Sequence, residues 1–383
     1  MTTLTAPDWL SHDFLLDPYP LYRALRERAP VYHDAPRRRW LLTRYDDVAS
    51  ALRDDVRFTA QQQDMPTSML VSDPPQHTRL RNLVSKPFTP KATRAYAPMI
   101  ERVVDELLAP MHAGDEVDVI AAFAYPLPIT VIAEMLGVAQ DRREFFHEVS
   151  SAIAVSLGPI TDPVVARRAG EASGRLSAYF NELIAERERD PRDDLVTALL
   201  QAEEAGDLLS RRELISMLTL LLIGGHETTV NLIANALLAL LRNPQQMEIF
   251  RNREGLEKQA VEEFLRYDSP VQYTGRITRL PVEIGDVTIP AGEHVRMILA
   301  AANRDPAIWR DPDALNIERE LHPNIAFGLG IHSCLGAPLA RLEAEIAIPA
   351  IVRRFPKVQL VERPLRYRTA SVLRGLEELR LRL

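Results

Sequence analysis

The sequence predicts a mainly α-helical protein with a small β region, an α+β fold with one long central helix. Residues 18–241 show apolar side chains three and four positions apart, as one face of a helix requires, in segments separated by proline-bearing loops. Short strand-like runs occur near residues 40–43 and within 282–298, where valine and isoleucine alternate with turns. Residues 214–241 are apolar nearly all round and long enough for a helix of about 40 Å, so this segment belongs in the protein interior.

Composition narrows the classes of protein that this chain can form. With 383 residues, 46% hydrophobic and 26% charged, it can bury a large core, which excludes disorder and collagen. The 46 Lys+Arg against 53 Asp+Glu give a net charge of -7, which argues against a nucleic-acid partner. A single cysteine excludes intrachain disulfides, cysteine-rich zinc sites and clusters held by several thiolates.

The sequence predicts a cytoplasmic protein of one domain over residues 1–383, without a membrane partner. Its first ten residues lack the cationic start and apolar core of a signal peptide. The apolar segment 214–241 is interrupted by His226, Glu227, Asn231 and Asn235, so it does not resemble a membrane span. We find no repeat of 20 to 50 residues, low-complexity tract or Gly/Ser linker.

The centre of the long apolar helix carries residues that a buried helix does not need. Residues 224–229 read Gly-Gly-His-Glu-Thr-Thr, two helix-weakening glycines followed by an acid and two hydroxyls. Burying an acid costs free energy unless it is paired. This choice therefore indicates a function rather than a packing requirement.

The one cysteine, Cys334, lies in a glycine-rich turn, FGLGIHSCLG at residues 327–336, just before an apolar-periodic segment. It therefore sits at a predicted helix N-terminus, where the helix dipole and free N–H groups should lower the thiol pKa and favour a metal-binding thiolate. Gly328, Gly330 and Gly336 permit close approach to a flat ligand, and Phe327 can pack beside the sulfur.

A lone sulfur suits an iron that is already held on its other sides, as in haem, where an axial thiolate favours O–O cleavage. The alternative is a buried, inert cysteine. The pattern FGxGxHxCLG resembles the haem-binding loop of the cytochrome P450 family, the haem-thiolate monooxygenases. The resemblance runs from residues 40–43 to the arginine-rich C-terminal strands, and implies a helical prism whose long central helix lies over haem b, with Cys334 as the iron ligand and O2 as co-substrate.

The resemblance also implies that residues 224–228 pass over the oxygen-binding face of the haem. O–O cleavage needs two protons in a pocket that otherwise excludes water. Gly224 would leave room for O2, Thr228 would hydrogen-bond the reduced dioxygen, and Glu227 would feed protons. The alternative is that Thr228 bonds to its own helix and Glu227 pairs with an arginine. We interpret His226 as a packing residue.

Two further sets of residues match the family by position. Glu263 and Arg266, one helical turn apart, with Arg319 farther along the chain, resemble a buried ion-pair lock whose role is structural. Haem carries two propionates, which need cations aimed at them. Four basic residues match such anchors, against the alternative of mere solvation: His77, Arg81, Arg276 and His332.

The substrate-binding loops differ from the family pattern most between Phe58 and Asp73, which leave little room for a separate helix and imply a shortened roof. An adaptable methionine-bearing loop suits a largely apolar small molecule. The candidate substrate contacts, each with ordinary packing as its alternative, are Met65, Met69, Leu70, Val71, Ile223, Val271, Gln272, Tyr273 and Val372.

Electrons must come from other proteins, because the chain has no GxGxxG after a strand and no flavin or nicotinamide domain. The resemblance implies a ferredoxin and an NAD(P)H-dependent ferredoxin reductase, and we expect Arg79, Lys86 and Arg341 to form a basic patch for the ferredoxin. The predicted function is hydroxylation or epoxidation of a small molecule in bacterial secondary metabolism. The alternatives are a haem-thiolate peroxygenase and a non-catalytic haem sensor.

Overall fold

The structure is a computed structural model that describes residue 9 and residues 11–61, 68–154, 163–204, 206–369 and 372–383. The α-helices of this part of the chain are α1 (His12–Leu16), α2 (Tyr19–Arg28), α3 (Tyr45–Arg53), α4 (Gln76–Ser85), α5 (Pro90–Arg94), α6 (Ala97–Leu108), α7 (Pro126–Met135), α8 (Arg143–Ala154), α9 (Pro163–Arg189), α10 (Leu195–Leu200), α11 (Arg211–Arg242), α12 (Pro244–Asn252), α13 (Glu257–Tyr267), α14 (Leu299–Ala302) and α15 (Ala337–Arg354).

The strands are short, and their order along the chain differs from their order in the sheets. They are β1 (Val31–Asp34), β2 (Arg39–Leu42), β3 (Phe58–Thr59), β4 (Glu116–Asp118), β5 (Glu203–Glu204), β6 (Asp207–Leu208), β7 (Thr274–Thr278), β8 (Val282–Ile284), β9 (Val287–Ile289), β10 (His294–Met297), β11 (Gln359–Leu360) and β12 (Arg380–Arg382). The largest sheet has the order β1-β2-β10-β7-β3, and β11-β12-β4 form a second sheet. The prediction of a mainly helical fold with a small β region is confirmed.

The central helix α11 organises the core. It begins with a capping box, in which Ser210 and Glu213 satisfy each other's backbone N–H groups, and it ends at Arg242, with Asn243 as the C-cap before the proline that opens α12. At 32 residues it is about 48 Å long. It packs against α7, α8, α9, α13 and α15. Within the described ranges α11 is apolar and long enough to cross a membrane, but 67% of its most apolar window is buried in the protein, as in a core helix.

Candidate active site

The cysteine loop is held by backbone conformation and by a close approach to α3. The Cys334 N–H donates to the carbonyl of Phe327 at 2.8 Å, which closes the turn before α15. Gly328 and Gly330 have φ of +68° and +73°, where other residues are strained. A Cβ on Gly330 would lie 2.5 Å from the carbonyl oxygen of Leu52 in α3, so only glycine fits there.

The prediction of a lowered thiol pKa is wrong. Cys334 lies three residues before α15 and is solvent-exposed on one side. Surrounding protein nevertheless removes enough water to raise the pKa of its thiol. The backbone N–H groups of Gly336 and Ala337 and the charge of Arg81 lower the pKa, as expected at a helix start, but burial outweighs them. The isolated polypeptide therefore favours the neutral thiol.

The four predicted anchors come together beside the cysteine loop as one group, which we call the cation cluster: His77, Arg81, Arg276 and His332. The His77 and His332 rings lie 4.3 Å apart between centroids. Both nitrogens of His77 and Nε2 of His332 are buried and have no hydrogen-bond partner among the described residues. Burial, with the charge of Arg276 next in size, lowers the pKa of His332 to about 3.

The two arginines of the cation cluster have only neutral partners. Arg81 donates to the carbonyl of Ile331 at 2.9 Å and to Oγ of Ser333 at 3.2 Å, and Arg276 donates to the carbonyl of Gly275 at 2.8 Å. Neither forms an ion pair with a carboxylate of the described residues, and burial lowers the pKa of both. The nearby buried carboxylate of Asp73 is ion-paired with Arg279 and forms no ion pair with this group, so these donors suit an anionic ligand.

Glu227 and Thr228 make the contacts named above as the alternative to a catalytic role, an ion pair with an arginine and a hydrogen bond within the helix. Glu227 is buried and pairs with Arg368, whose Nη1 lies 2.6 Å from the Glu227 Oε2. The Thr228 hydroxyl donates to the carbonyl of Gly224 at 2.8 Å. However, Thr228 is only half-buried and Gly224 is exposed in a helix whose other faces are buried, and a Cβ on Gly224 would meet nothing within 4 Å. This face of α11 therefore borders open space.

Two neighbouring side chains support this region of α11. His226 is fully buried and packs edge-on against Tyr125, with 4.2 Å between ring centroids, consistent with a packing role. Arg368 was not predicted at all. It lies 141 residues from Glu227 in the sequence, and no local pattern signals the pair.

The ion-pair lock is present and buried. Arg266 donates to both carboxylate oxygens of Glu263, from Nε at 2.7 Å and Nη2 at 2.8 Å, and Nε of Arg319 lies 3.2 Å from the Glu263 Oε2. The remaining guanidinium N–H groups donate to carbonyls, including that of Pro312 at 2.6 Å. The backbone N–H of Asn316 also donates to Oε1 of Glu263, at 2.8 Å. The cluster fixes α13 to the coil before the cysteine loop.

The candidate substrate contacts lie in different surroundings. Met65 lies outside the described residues. Ile223 adjoins Gly224 on α11, while Met69 and Val71 form a buried 3-10 turn next to the half-exposed Leu70. Val271 pairs with Leu373, and the carbonyl of Val372 accepts from the Gln272 N–H at 2.8 Å.

Two of these candidates are engaged elsewhere, so we do not retain them as substrate contacts. The Gln272 side chain accepts from the Tyr22 hydroxyl at 3.1 Å and donates to the carbonyl of Ser269 at 2.7 Å. Tyr273 is buried in a cluster with the N-terminal aromatic residues, and the Arg296 guanidinium lies 4.2 Å above its ring.

The predicted basic patch is not formed. Arg79 forms ion pairs with Asp207 and with Glu213, the latter at 2.7 Å. Arg341 pairs with Glu262 and lies 4.5 Å above the ring of Phe327. Only the third member, Lys86, stays exposed without a carboxylate partner among the described residues. Two of the three charges are thus neutralised by carboxylates from elements distant in sequence.

Comparison with known proteins shows which family the chain resembles. The family model "Cytochrome P450" matches residues 31–252 and 256–379. Cytochrome P450 107B1 of Saccharopolyspora erythraea is 44% identical over 414 residues, covering 100% of this chain and 99% of that protein. Vitamin D(3) 25-hydroxylase of Pseudonocardia autotrophica is 42% identical, with 97% and 95% covered. The crystal structure of CYP109E1 from Bacillus megaterium in complex with testosterone aligns with a TM-score of 0.89 at 36% identity, covering 96% of this chain and 99% of that one.

With these matches the fold and the site define an oxidoreductase of the monooxygenase class. The chain belongs to the cytochrome P450 family, as the resemblance of its cysteine loop predicted.

Proposed function

We propose that this enzyme is a single-domain haem-thiolate monooxygenase, with haem b bound between α11 and the cysteine loop. The observation that carries the proposal is the cation cluster, whose buried imidazole nitrogens and unpaired guanidinium groups have no carboxylate partner among the described residues. The two propionates of a haem would supply the anionic acceptors that these donors need. Haem therefore fits the residues that are present.

Cys334 would provide the thiolate. When bound, the haem iron would supply the activation of O2, and a thiolate ligand would favour cleavage of the O–O bond. Coordination to a metal removes the proton from a thiol, so the raised pKa of the free Cys334 thiol is compatible with this role. Gly330 lets the loop lie close against α3, and the Cys334 side chain is exposed.

Glu227 and Thr228, on α11, would deliver the protons that cleavage of the O–O bond needs. Thr228 Oγ1 carries a proton at the border of open space, and rotation about χ1 can release it from the Gly224 carbonyl. Glu227, buried one residue before it and paired with Arg368 as a carboxylate, would take up a proton from water and pass it on to replace this one. Gly224, which has no Cβ, leaves room for O2 beside them.

The substrate would be a largely apolar small molecule, hydroxylated or epoxidised in bacterial secondary metabolism. Ile223 adjoins Gly224 on α11 and is the first candidate to contact it, and the other apolar candidates are Met69, Leu70, Val71, Val271 and Val372. Two relatives support this class, since one is named for vitamin D(3) hydroxylation and another holds testosterone. We propose that ferredoxin and an NAD(P)H-dependent ferredoxin reductase supply the electrons in the cytoplasm.

The carbon monoxide difference spectrum of the dithionite-reduced holoprotein tests the iron ligand. We expect a strongly red-shifted Soret band in the wild type and its loss in Cys334→Ala, while Ser333→Ala, at the neighbouring position, keeps the band. A preparation without haem, or a histidine-like band that survives Cys334→Ala, would contradict the proposal. A screen of apolar compounds for shifts of the Soret band would then search for the substrate.

A further inference from the structure

A buried carboxylate lies beside the cation cluster. Asp73, which comes three residues before α4, is 3% exposed. Burial lowers the pKa of His77 and of Arg276, and the charge of Asp73 acts on both in the opposite direction, so Asp73 lies within electrostatic reach of them. A free carboxylate in this position would attract Arg276 and repel the propionates of a haem. A haem site here therefore needs the charge of Asp73 to be engaged elsewhere.

Three donors engage Asp73 instead. The backbone N–H of Ala60 donates to its Oδ1 at 3.1 Å, and the Thr59 hydroxyl and Nη2 of Arg279 both donate to its Oδ2. Burial acts to raise the pKa of Asp73, but these hydrogen bonds and the charge of Arg279 lower it overall. The carboxylate therefore stays ionised, and among its three donors only Arg279 balances the charge.

Arg279 is the residue that follows β7, the strand that carries Arg276. Its backbone N–H donates to the carbonyl of Arg57 at 2.8 Å, which fixes its position beside β3. Its side chain is 42% exposed, and Asp73 is its only ion-pair partner among the described residues. Arg276 donates only to neutral groups, the carbonyl of Gly275 and the hydroxyl of Thr274. Asp73 thus pairs with Arg279 and leaves Arg276 without a carboxylate.

We propose that Arg279 is a positioning residue for the haem propionates, because it neutralises Asp73 and so keeps Arg276 and His77 available to an anionic ligand. The inference rests on the proposed haem site. Arg279 acts through Asp73 and needs no contact with the haem itself. The Asp73–Arg279 pair carries no net charge, whereas Asp73 without Arg279 would place an unbalanced buried charge beside the cation cluster.

The test measures the rate at which haem leaves the ferric holoprotein, followed by the Soret change as excess apomyoglobin captures it. We expect Arg279→Met to lose haem roughly fivefold faster than the wild type, because the unbalanced charge of Asp73 then opposes the propionates. Arg279→Lys keeps the charge and should stay close to the wild-type rate. The matched control is Arg353→Met on α15, which removes an arginine that is 35% exposed and paired with Glu257 at 2.6 Å, and which should lose haem at the wild-type rate.

A double variant separates charge from structure. Asp73→Asn removes the charge that Arg279 neutralises, so Arg279→Met combined with Asp73→Asn should hold haem as the wild type does. The reduction potential of the haem iron gives a second readout. Arg279→Met should lower this potential, since a nearby negative charge disfavours adding an electron, and the double variant should restore it. Loss of a merely structural contact would not be repaired by asparagine, which does not replace the missing guanidinium group.

The outcomes distinguish this inference from the proposed function. If the wild type binds no haem, the proposed function fails and the role of Arg279 fails with it. If the wild type holds haem but Arg279→Met loses it no faster, or if the double variant is no better than Arg279→Met, only the role of Arg279 is overturned. Should Arg279→Met not load haem, Arg279→Gln takes its place, since glutamine keeps a hydrogen-bond donor but removes the charge.

Discussion

Glu343, in the middle of α15, should make the stability of this protein fall with rising pH. Its side chain is 2% exposed, and its Oε2 has no hydrogen-bond partner among the described residues. Burial raises the pKa of Glu343 from 4.5 to about 8. The native protein therefore keeps a proton that the unfolded chain releases, so this contribution to stability is complete below pH 4.5 and is lost as the pH rises toward 8.

The magnitude follows from the pKa difference. Each pH unit between the two pKa values costs about 1.4 kcal/mol of unfolding free energy, so the change from pH 5.5 to pH 7 costs about 2 kcal/mol. Glu343→Gln removes the titrating group while keeping its shape. We expect the wild type to lose about 2 kcal/mol more than Glu343→Gln over that interval, because every other titrating group is common to both proteins.

The assay is urea unfolding of the holoprotein, followed by far-UV circular dichroism at pH 5.5 and pH 7. The matched control is Glu248→Gln, which changes a solvent-exposed glutamate on α12. This control should show the pH dependence of the wild type. Parallel pH dependence of the wild type and Glu343→Gln would refute the reasoning, since it would mean that Glu343 ionises in the native state as readily as in the unfolded chain.

Other substitutions probe the remaining parts of the site. Gly330→Ala should lose about 1–3 kcal/mol of stability in urea unfolding, because of its positive φ and the 2.5 Å contact of the added Cβ, whereas Gly174→Ala, exposed on α9 where a Cβ meets nothing within 4 Å, should be neutral or slightly stabilising. Arg319→Met leaves Glu263 paired with Arg266 alone and should cost about 1.5–3 kcal/mol of stability, seen as a lower yield of haem-loaded protein. Thr228→Ala should raise the peroxide released per NADPH, while Thr229→Ala, whose hydroxyl makes the same bond to its own helix but is buried, should not; equal ratios would contradict the role of Thr228.

Local patterns in the sequence predict the elements of this fold well. The central helix follows from an apolar run of residues, and the cysteine loop from glycines placed around Cys334. The lock follows from Glu263 and Arg266, which lie one turn apart on a single helix. For the helix and for the Glu263–Arg266 pair the spacing carries the information, whereas the burial of that pair and the part of Arg319, 56 residues from Glu263, were implied only by the resemblance to the family.

What the sequence does not predict depends on contacts between distant segments. Arg368 reaches Glu227 across 141 residues, and Arg79 is neutralised by carboxylates that only the fold brings near. The direction of the pKa shift of the Cys334 thiol was predicted wrongly for the same reason. The helix N-terminus is visible in the sequence, but the burial that outweighs it is set by the whole tertiary structure.

The cation cluster brings the guanidinium groups of Arg81 and Arg276 together with two buried imidazole rings from three distant stretches of the chain, around residues 77–81, 276 and 332. Burying these guanidinium groups and partnerless imidazole nitrogens costs free energy until a ligand satisfies them. A ligand that binds only the folded state stabilises it by mass action. The rate at which a cell makes haem should therefore limit how much of this polypeptide survives after synthesis, and overexpression without added haem precursor should yield chains that proteases remove.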